Sequence, residues 1–190
     1  MTATSAPSPR RADARRNRDR LVEVARQALA EGDGAVSLEA IARDAGVGIG
    51  TLYRHFPTRD ALVEAVYRTE LEAVIAKADE LTSLHEPAEA LRLWMDEYAR
   101  FVTTKRGMAE SLRGLRQAGT ISSSQTRPLV TAAVRSMHAA GVRSGTLRAD
   151  VLADDIVATL VGIFLATPDA SDSEQIGRML DLLFAGIVTK

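Results

Sequence analysis

Apolar residues recur along this chain at helical spacing and almost nowhere at the alternating spacing of a strand. Leu21, Val24, Ala25, Ala28 and Leu29 form one apolar stripe, predicting a helix that Gly32 and Gly34 would end. Ser37 is an N-cap for a second helix, whose stripe is Leu38, Ile41, Ala42 and Ala45. Gly46 sits where a left-handed C-cap belongs. A short helix from about Ile49 to His55 is stopped by Pro57, and Thr58 caps a long helix from Arg59 to about Leu81. Further helices are expected over about 88–104, 108–116, 127–140, 152–166 and 173–188, with Pro128 in the first turn of its helix. Residues 1–12 are rich in Ser, Pro and Ala and are expected to be a disordered arm. No repeat of 20–50 residues is present. The expected fold is all-α: a three-helix unit over 13–57, then a larger helical body over 58–190 that opens with a linking helix, 58–81.

Composition narrows the class. The chain has 190 residues, enough for one large domain or two small ones, and no cysteine, which excludes disulfides and thiolate metal sites. Its longest apolar run, 157–166, falls well short of the roughly 20 residues that cross a bilayer. The first twenty residues lack the apolar stretch of a secretory signal, so a cytoplasmic location and no membrane partner are expected. Overall charge is near balance, but residues 1–60 carry ten Arg and no Lys against eight Asp and Glu. Arg10, Arg11, Arg15, Arg16, Arg18 and Arg20 are opposed there only by Asp13 and Asp19. Local charge of this kind suits phosphate contact, and equally a solvated tail.

No catalytic constellation emerges. His55, His85 and His138 are scattered, there is no paired-carboxylate spacing, and the GVGIG stretch follows no strand, so neither an enzyme nor a metal or cofactor is expected.

The informative stretch is Ser37–Leu62, SLEAIARDAGVGIGTLYRHFPTRDAL. A helix pair that reads a DNA groove needs an apolar first helix, a small residue where the helices cross and a turn residue that accepts positive φ. Ile41, Ala42 and Gly46 supply these, and Val47 is expected to plug the turn into the core. Leu52 and Phe56, four apart, anchor the second helix from beneath. Gly48, Ile49, Gly50, Thr51, Arg54 and His55 are left facing outward, and the two glycines permit close approach to a major groove. Competing readings stand beside these: Tyr53 as a core ring, and Arg54 and His55 as ordinary surface residues at a helix end.

This stretch resembles the signature of the TetR family of bacterial transcriptional regulators: an IA..AGV turn, then GTLYRHF, then a capped basic helix start. Here the elements are Ile41-Ala42, Ala45-Gly46-Val47, Gly50-Thr51-Leu52-Tyr53-Arg54-His55-Phe56 and Thr58-Arg59-Asp60-Ala61-Leu62, within a similarity over about residues 18–66. The resemblance implies a sequence-specific DNA-binding regulator, a repressor released from a palindromic operator by a small-molecule ligand. It implies that Thr51, Tyr53 and His55 contact phosphates or bases, with Ile49 and Gly50 nearest the base edges. Arg59 would hold a phosphate where the family more often has lysine, and Gly48 replaces a more common serine. Ser37 and Arg54 complete the expected DNA-facing set. With no Asn or Gln in the helix, thymine methyl contacts and DNA shape are expected to carry much of the specificity.

The family has a helical body that binds an effector and forms a homodimer. The expected pocket lining is Trp94, Tyr98, Phe101, Leu112, Leu115, Val134, Met137, His138 and Phe164, with ordinary core as the competing reading. The 157–166 run is apolar nearly all round and so needs burial on every side. It and the last helix are expected to form a four-helix interface with a second copy, through Ile156, Leu160, Gly162, Ile163, Ile176, Met179, Leu180, Leu183 and Ile187, with the buried core of a single chain as the competing reading. Arg148 and Asp150, in the GTLRAD turn, are expected to be structural.

Overall fold

The computed structural model describes residues 9–31, 37–121, 123–167 and 173–189. Among these, the chain forms α1 (Pro9–Glu31), α2 (Leu38–Asp44), α3 (Ile49–His55), α4 (Arg59–Leu84), α5 (Pro87–Gly107), α6 (Ala109–Gln117), α7 (Ser123–Arg143), α8 (Ala153–Ala166) and α9 (Ser173–Ile187). Extended pairing among the described residues is a single antiparallel bridge between Leu147 and Val188. No described helix is long and apolar enough to cross a membrane.

Two boundaries differ instructively from expectation. The helix α1 begins at Pro9, so positions 9–12 are helical and not part of an arm. Proline suits the first helical turn, and arginine is a good helix former. Positions 1–8, and the helix end assigned to Gly32 and Gly34, lie outside the described residues. The helix α7 starts at Ser123, which puts Pro128 inside it and not in its first turn. One backbone hydrogen bond is lost there.

The chain divides into two compact units, residues 1–68 with 104–120, and residues 69–103 with 121–190. The helices α4 and α5 contribute residues to both. In the first unit α1, α2 and α3 pack pairwise, burying Leu21, Ala25, Leu29, Ile41, Ala42, Ala45, Leu52 and Phe56. The same unit takes in α6 with its buried Leu112 and Leu115, and Arg68 Nη2 donates to the Thr120 carbonyl at 3.4 Å. Positions 104–120, expected as part of the body, therefore belong with the N-terminal helices.

In the second unit α8 packs against α7 and α9. Arg92 of α5 reaches α9, donating through Nη2 to Asp181 at 2.7 Å, and through Nη1 to Asp96 at 2.6 Å. The turn after α7 clasps the end of α9. Arg148 N donates to the Ile187 carbonyl at 2.9 Å and Thr189 N to the Thr146 carbonyl at 3.1 Å. Arg148 Nη1 donates to the Gly186 carbonyl at 2.8 Å while Nη2 pairs with Asp150 at 2.7 Å. Both residues are thus structural, and the ion pair holds the Asp150 carboxyl below its ordinary range.

Candidate nucleic-acid interface

The geometry of α2, its turn and α3 follows from capping. Ser37, extended at φ −76° and ψ 132°, accepts from Ala40 N at 3.4 Å, and its hydroxyl donates to Glu39 at 2.7 Å. Its side chain is committed to the cap, which is worth about 1 kcal/mol. At the other end Gly46 adopts φ +67°, Gly46 N donates to Arg43 O at 2.9 Å and Val47 N to Ala42 O at 2.9 Å. This double closure satisfies two orphan carbonyls and turns the chain sharply into α3. Ala45, 1% exposed, fills the core beneath the turn. Val47 is only half-buried, which corrects the expectation that it is the plug.

A seven-residue helix has little stability of its own, so α3 is held by its anchors. Leu52 is fully buried and Phe56 nearly so. Thr58 Oγ1 accepts from Ala61 N at 3.1 Å, starting α4 directly after Pro57. Opposite the anchors, Ile49 (39% exposed) and Tyr53 (45%) stand one turn apart, with Gly50 and Arg54 also exposed. Thr51, His55 and Arg59 are half-buried at the margins of this face. Tyr53 is therefore a surface ring and not core. Gly48 caps α3 with backbone only, and a β-carbon at position 48 or 50 would meet nothing within 4 Å.

Two arginines of α1 join this frame. The Arg18 guanidinium lies over the Phe56 ring, 5.4 Å from its centroid, and Arg20 Nη1 donates to the Ala45 carbonyl at 3.4 Å. In the sequence both register only as positive charge, because nothing local announces a contact with a residue far along the chain.

The residues expected to line a pocket are all buried. Seven belong to the second unit, but Leu112 and Leu115 belong to the first. Tyr98 stacks on Trp94 with centroids 5.4 Å apart, and lies 5.8 Å from Phe101 and 5.7 Å from Phe164. The Trp94 indole N–H donates to the Val74 carbonyl at 2.8 Å. His138 Nε2 lies 3.0 Å from the Arg148 carbonyl. A carbonyl only accepts, so Nε2 carries the proton, and the ring pins the 145–150 turn to α7.

The residues expected at a dimer interface divide by burial. Ile156, Leu160, Ile163, Ile176, Leu180 and Ile187 are buried in the chain's own interior, between 0 and 8% exposed. They pack within their unit. Met179 and Leu183 are half-buried, and Gly162 is exposed. The apolar residues that do face outward on α8 and α9 are Val161, Leu165 (77%) and Leu182 (75%). A helix that is apolar all round offers no periodic signal of which face turns inward.

A capped helix pair, a tight glycine turn and an exposed second helix fixed from below define a helix-turn-helix transcriptional regulator. Known proteins of similar sequence and structure agree. Residues 21–66 match the family of bacterial regulatory proteins called tetR, and residues 86–189 match the SbtR-like transcriptional regulator C-terminal domain. A TetR transcriptional regulator of Streptomyces coelicolor is similar over 91% of this chain and 99% of its own, at 37% identity and a TM-score of 0.82. A TetR regulator of Mycobacterium vanbaalenii covers 95% of this chain and 100% of its own, at 34% identity and a TM-score of 0.75. An HTH-type transcriptional regulator of Staphylococcus aureus is 29% identical over 54% of this chain, and the match spans little more than half of that relative, 56%. The chain belongs to the TetR family of transcriptional regulators.

Proposed function

We propose that the protein is a homodimeric repressor that α3 seats on a palindromic DNA operator and that a small molecule releases. The observation that carries the DNA half is the face of Ile49, Gly50, Tyr53 and Arg54, exposed on a helix that Leu52 and Phe56 hold rigid. In this reading Ile49 meets thymine methyls and Tyr53 donates to a phosphate. Two copies related by a two-fold would read half-sites about 34–36 Å apart.

The dimer face in this reading is the outward row of Val161, Gly162, Leu165 and Leu182 on α8 and α9. Leucines this exposed favour a covering partner, and the glycine lets a second helix approach closely. The effector in this reading sits at the aromatic cluster of Trp94, Tyr98, Phe101 and Phe164, with Val134 and Met137 in the same unit. It is an apolar or amphipathic molecule. Release requires that it bind one conformer better than the other, and a coupling of 1–3 kcal/mol changes DNA affinity about 5–150-fold.

The test is selection of a randomised duplex pool by the purified chain, followed by affinity against salt. An enriched palindrome with a steep salt slope supports the reading. Binding without any enriched site defeats sequence-specific regulation.

A further inference from the structure

The segment 104–120 carries Lys105, Arg106, Arg113 and Arg116 against one acidic residue, Glu110. It belongs to the first unit, with the N-terminal helices. Lys105 is half-buried in the last turn of α5. Among the described residues, no hydrogen bond or ion pair engages its ammonium. Arg116, exposed in the last turn of α6, has no acidic partner among the described residues either.

The fold brings these two cations together. Met108 N donates to the Lys105 carbonyl at 3.2 Å and Leu112 N to the Met108 carbonyl at 2.9 Å, and Arg116 stands one turn beyond Leu112. Helical side chains lean toward the N-terminus of their helix, so Arg116 reaches back toward the junction of α5 and α6. Burial disfavours the Lys105 ammonium, and the Arg116 charge adds to that effect.

Folding does not account for the pair. Cations suit the C-terminal ends of helices, but backbone donors already close the end of α6. Ala118 N donates to the Gly114 carbonyl at 2.9 Å, Gly119 N to the Arg116 carbonyl at 3.1 Å and Thr120 N to the Leu115 carbonyl at 2.9 Å. The Arg116 guanidinium is therefore not spent on the cap. Met108, Leu112 and Leu115 are buried and seat α6 without help from either charge. Like charges drawn together where water is partly excluded oppose stability until an anion joins them. Groups held in this way mark a binding site.

We infer that Lys105 and Arg116 form a site for a small-molecule oxyanion, the phosphate or carboxylate group of a ligand. Lysine supplies a compact point charge and arginine a planar fork, and together they match the several oxygens of such a group. A duplex fits less well. Arg68 Nη2 donates to the Thr120 carbonyl at 3.4 Å, so the end of α6 lies beside α4 well beyond its DNA-side start. At 1.5 Å per residue, that point is about 14 Å along α4 from Arg59. The inference goes beyond the aromatic effector reading and does not depend on it, because those aromatic residues belong to the second unit. An anion seated here relieves the repulsion and stabilises the unit that carries α3.

The experiment is equilibrium dialysis of the full chain, without DNA, against labelled inorganic phosphate and labelled acetate in parallel at fixed ionic strength. Wild type is expected to bind one anion per chain, and the anion it prefers names the group recognised. Lys105→Met and Arg116→Gln should each weaken that binding about 10-fold or more, the scale of a hydrogen bond to a charged group. Arg178→Gln, at an exposed arginine of the second unit, should bind as wild type does. Circular dichroism should show wild-type helicity in all three variants. A wild-type chain that binds neither anion overturns the proposal, as does undiminished binding by Lys105→Met and Arg116→Gln. An equal loss in Arg178→Gln would show general attraction to positive charge and overturn it too. If neither anion binds and Lys105→Met weakens duplex binding instead, the cations serve DNA, and the small-anion site falls while the DNA reading stands.

Discussion

The side chain of Leu147 fills the space that a β-carbon on Gly141 would need. Leu147 is 2% exposed, and its backbone N–H also donates to the Gly141 carbonyl at 3.0 Å. The turn after α7 therefore folds back onto the helix at the one position with no side chain in its way. Gly141→Ala would gain up to about 1 kcal/mol in helix propensity but overpack the site by about 1–3 kcal/mol. The expected outcome is a lower melting temperature, by about 2–4 °C for each net kcal/mol. Differential scanning calorimetry checks it, and an unchanged or higher midpoint would show that the turn can move aside.

Tyr53 and Leu52 are neighbours in sequence with opposite duties. Tyr53→Ala should leave the melt within about 0.5 kcal/mol of wild type, because the ring is 45% exposed. It should weaken operator binding by about 10-fold or more, the scale of removing a hydrogen bond to a charged group. Leu52→Ala should instead cost about 2–5 kcal/mol of stability. Paired melts and binding isotherms separate the two, and equal DNA affinity for Tyr53→Ala and wild type would remove Tyr53 from the interface.

Leu165→Glu with Leu182→Glu tests the outward face of α8 and α9. Both side chains are more than 70% exposed, so the folded chain should tolerate the charges. Sedimentation should show a monomer with wild-type helicity. A dimer that survives both substitutions would place the two-fold elsewhere.

Lys105 carries a pH signature. Burial, reinforced by the nearby Arg116 charge, holds its ammonium below its ordinary pKa of 10.5. The folded state therefore binds that proton less tightly than the unfolded chain does. The penalty is fully developed below the folded pKa and disappears as pH rises through it toward 10.5. Lys105→Met should raise stability at pH 7, and its advantage should shrink as the pH is raised. Denaturant titrations at several pH values measure this, and an advantage independent of pH would assign the gain to packing alone.

Much of this architecture is legible in the sequence. Ser37, Gly46 and Thr58 each announce a cap by residue type and position, and each makes that cap. Leu52 and Phe56 fall four apart and are buried. What is not legible falls into two kinds. The first is phase: α8 is apolar nearly all round, so its pattern does not say that Ile156 and Leu160 turn inward while Leu165 turns out. The second is distance along the chain. The hydrogen bond from His138 to the Arg148 carbonyl and the seat of Arg18 on Phe56 join residues whose meeting depends on the folded path and on no local signal. Helix formation at the start of α1 is hidden by composition, since a run of arginines reads equally as a solvated tail.

The open space around Gly48 and Gly50 has a consequence for how such a regulator changes over time. Buried residues of so short a helix, such as Leu52, cannot be altered without disturbing the fold. Positions 48 and 50 are exempt, because a β-carbon added there meets no other atom of the chain within 4 Å. A serine at 48 would add a hydroxyl and a helix cap together. In the DNA-binding reading, operator preference can thus change at these two positions with little disturbance of the packing beneath α3.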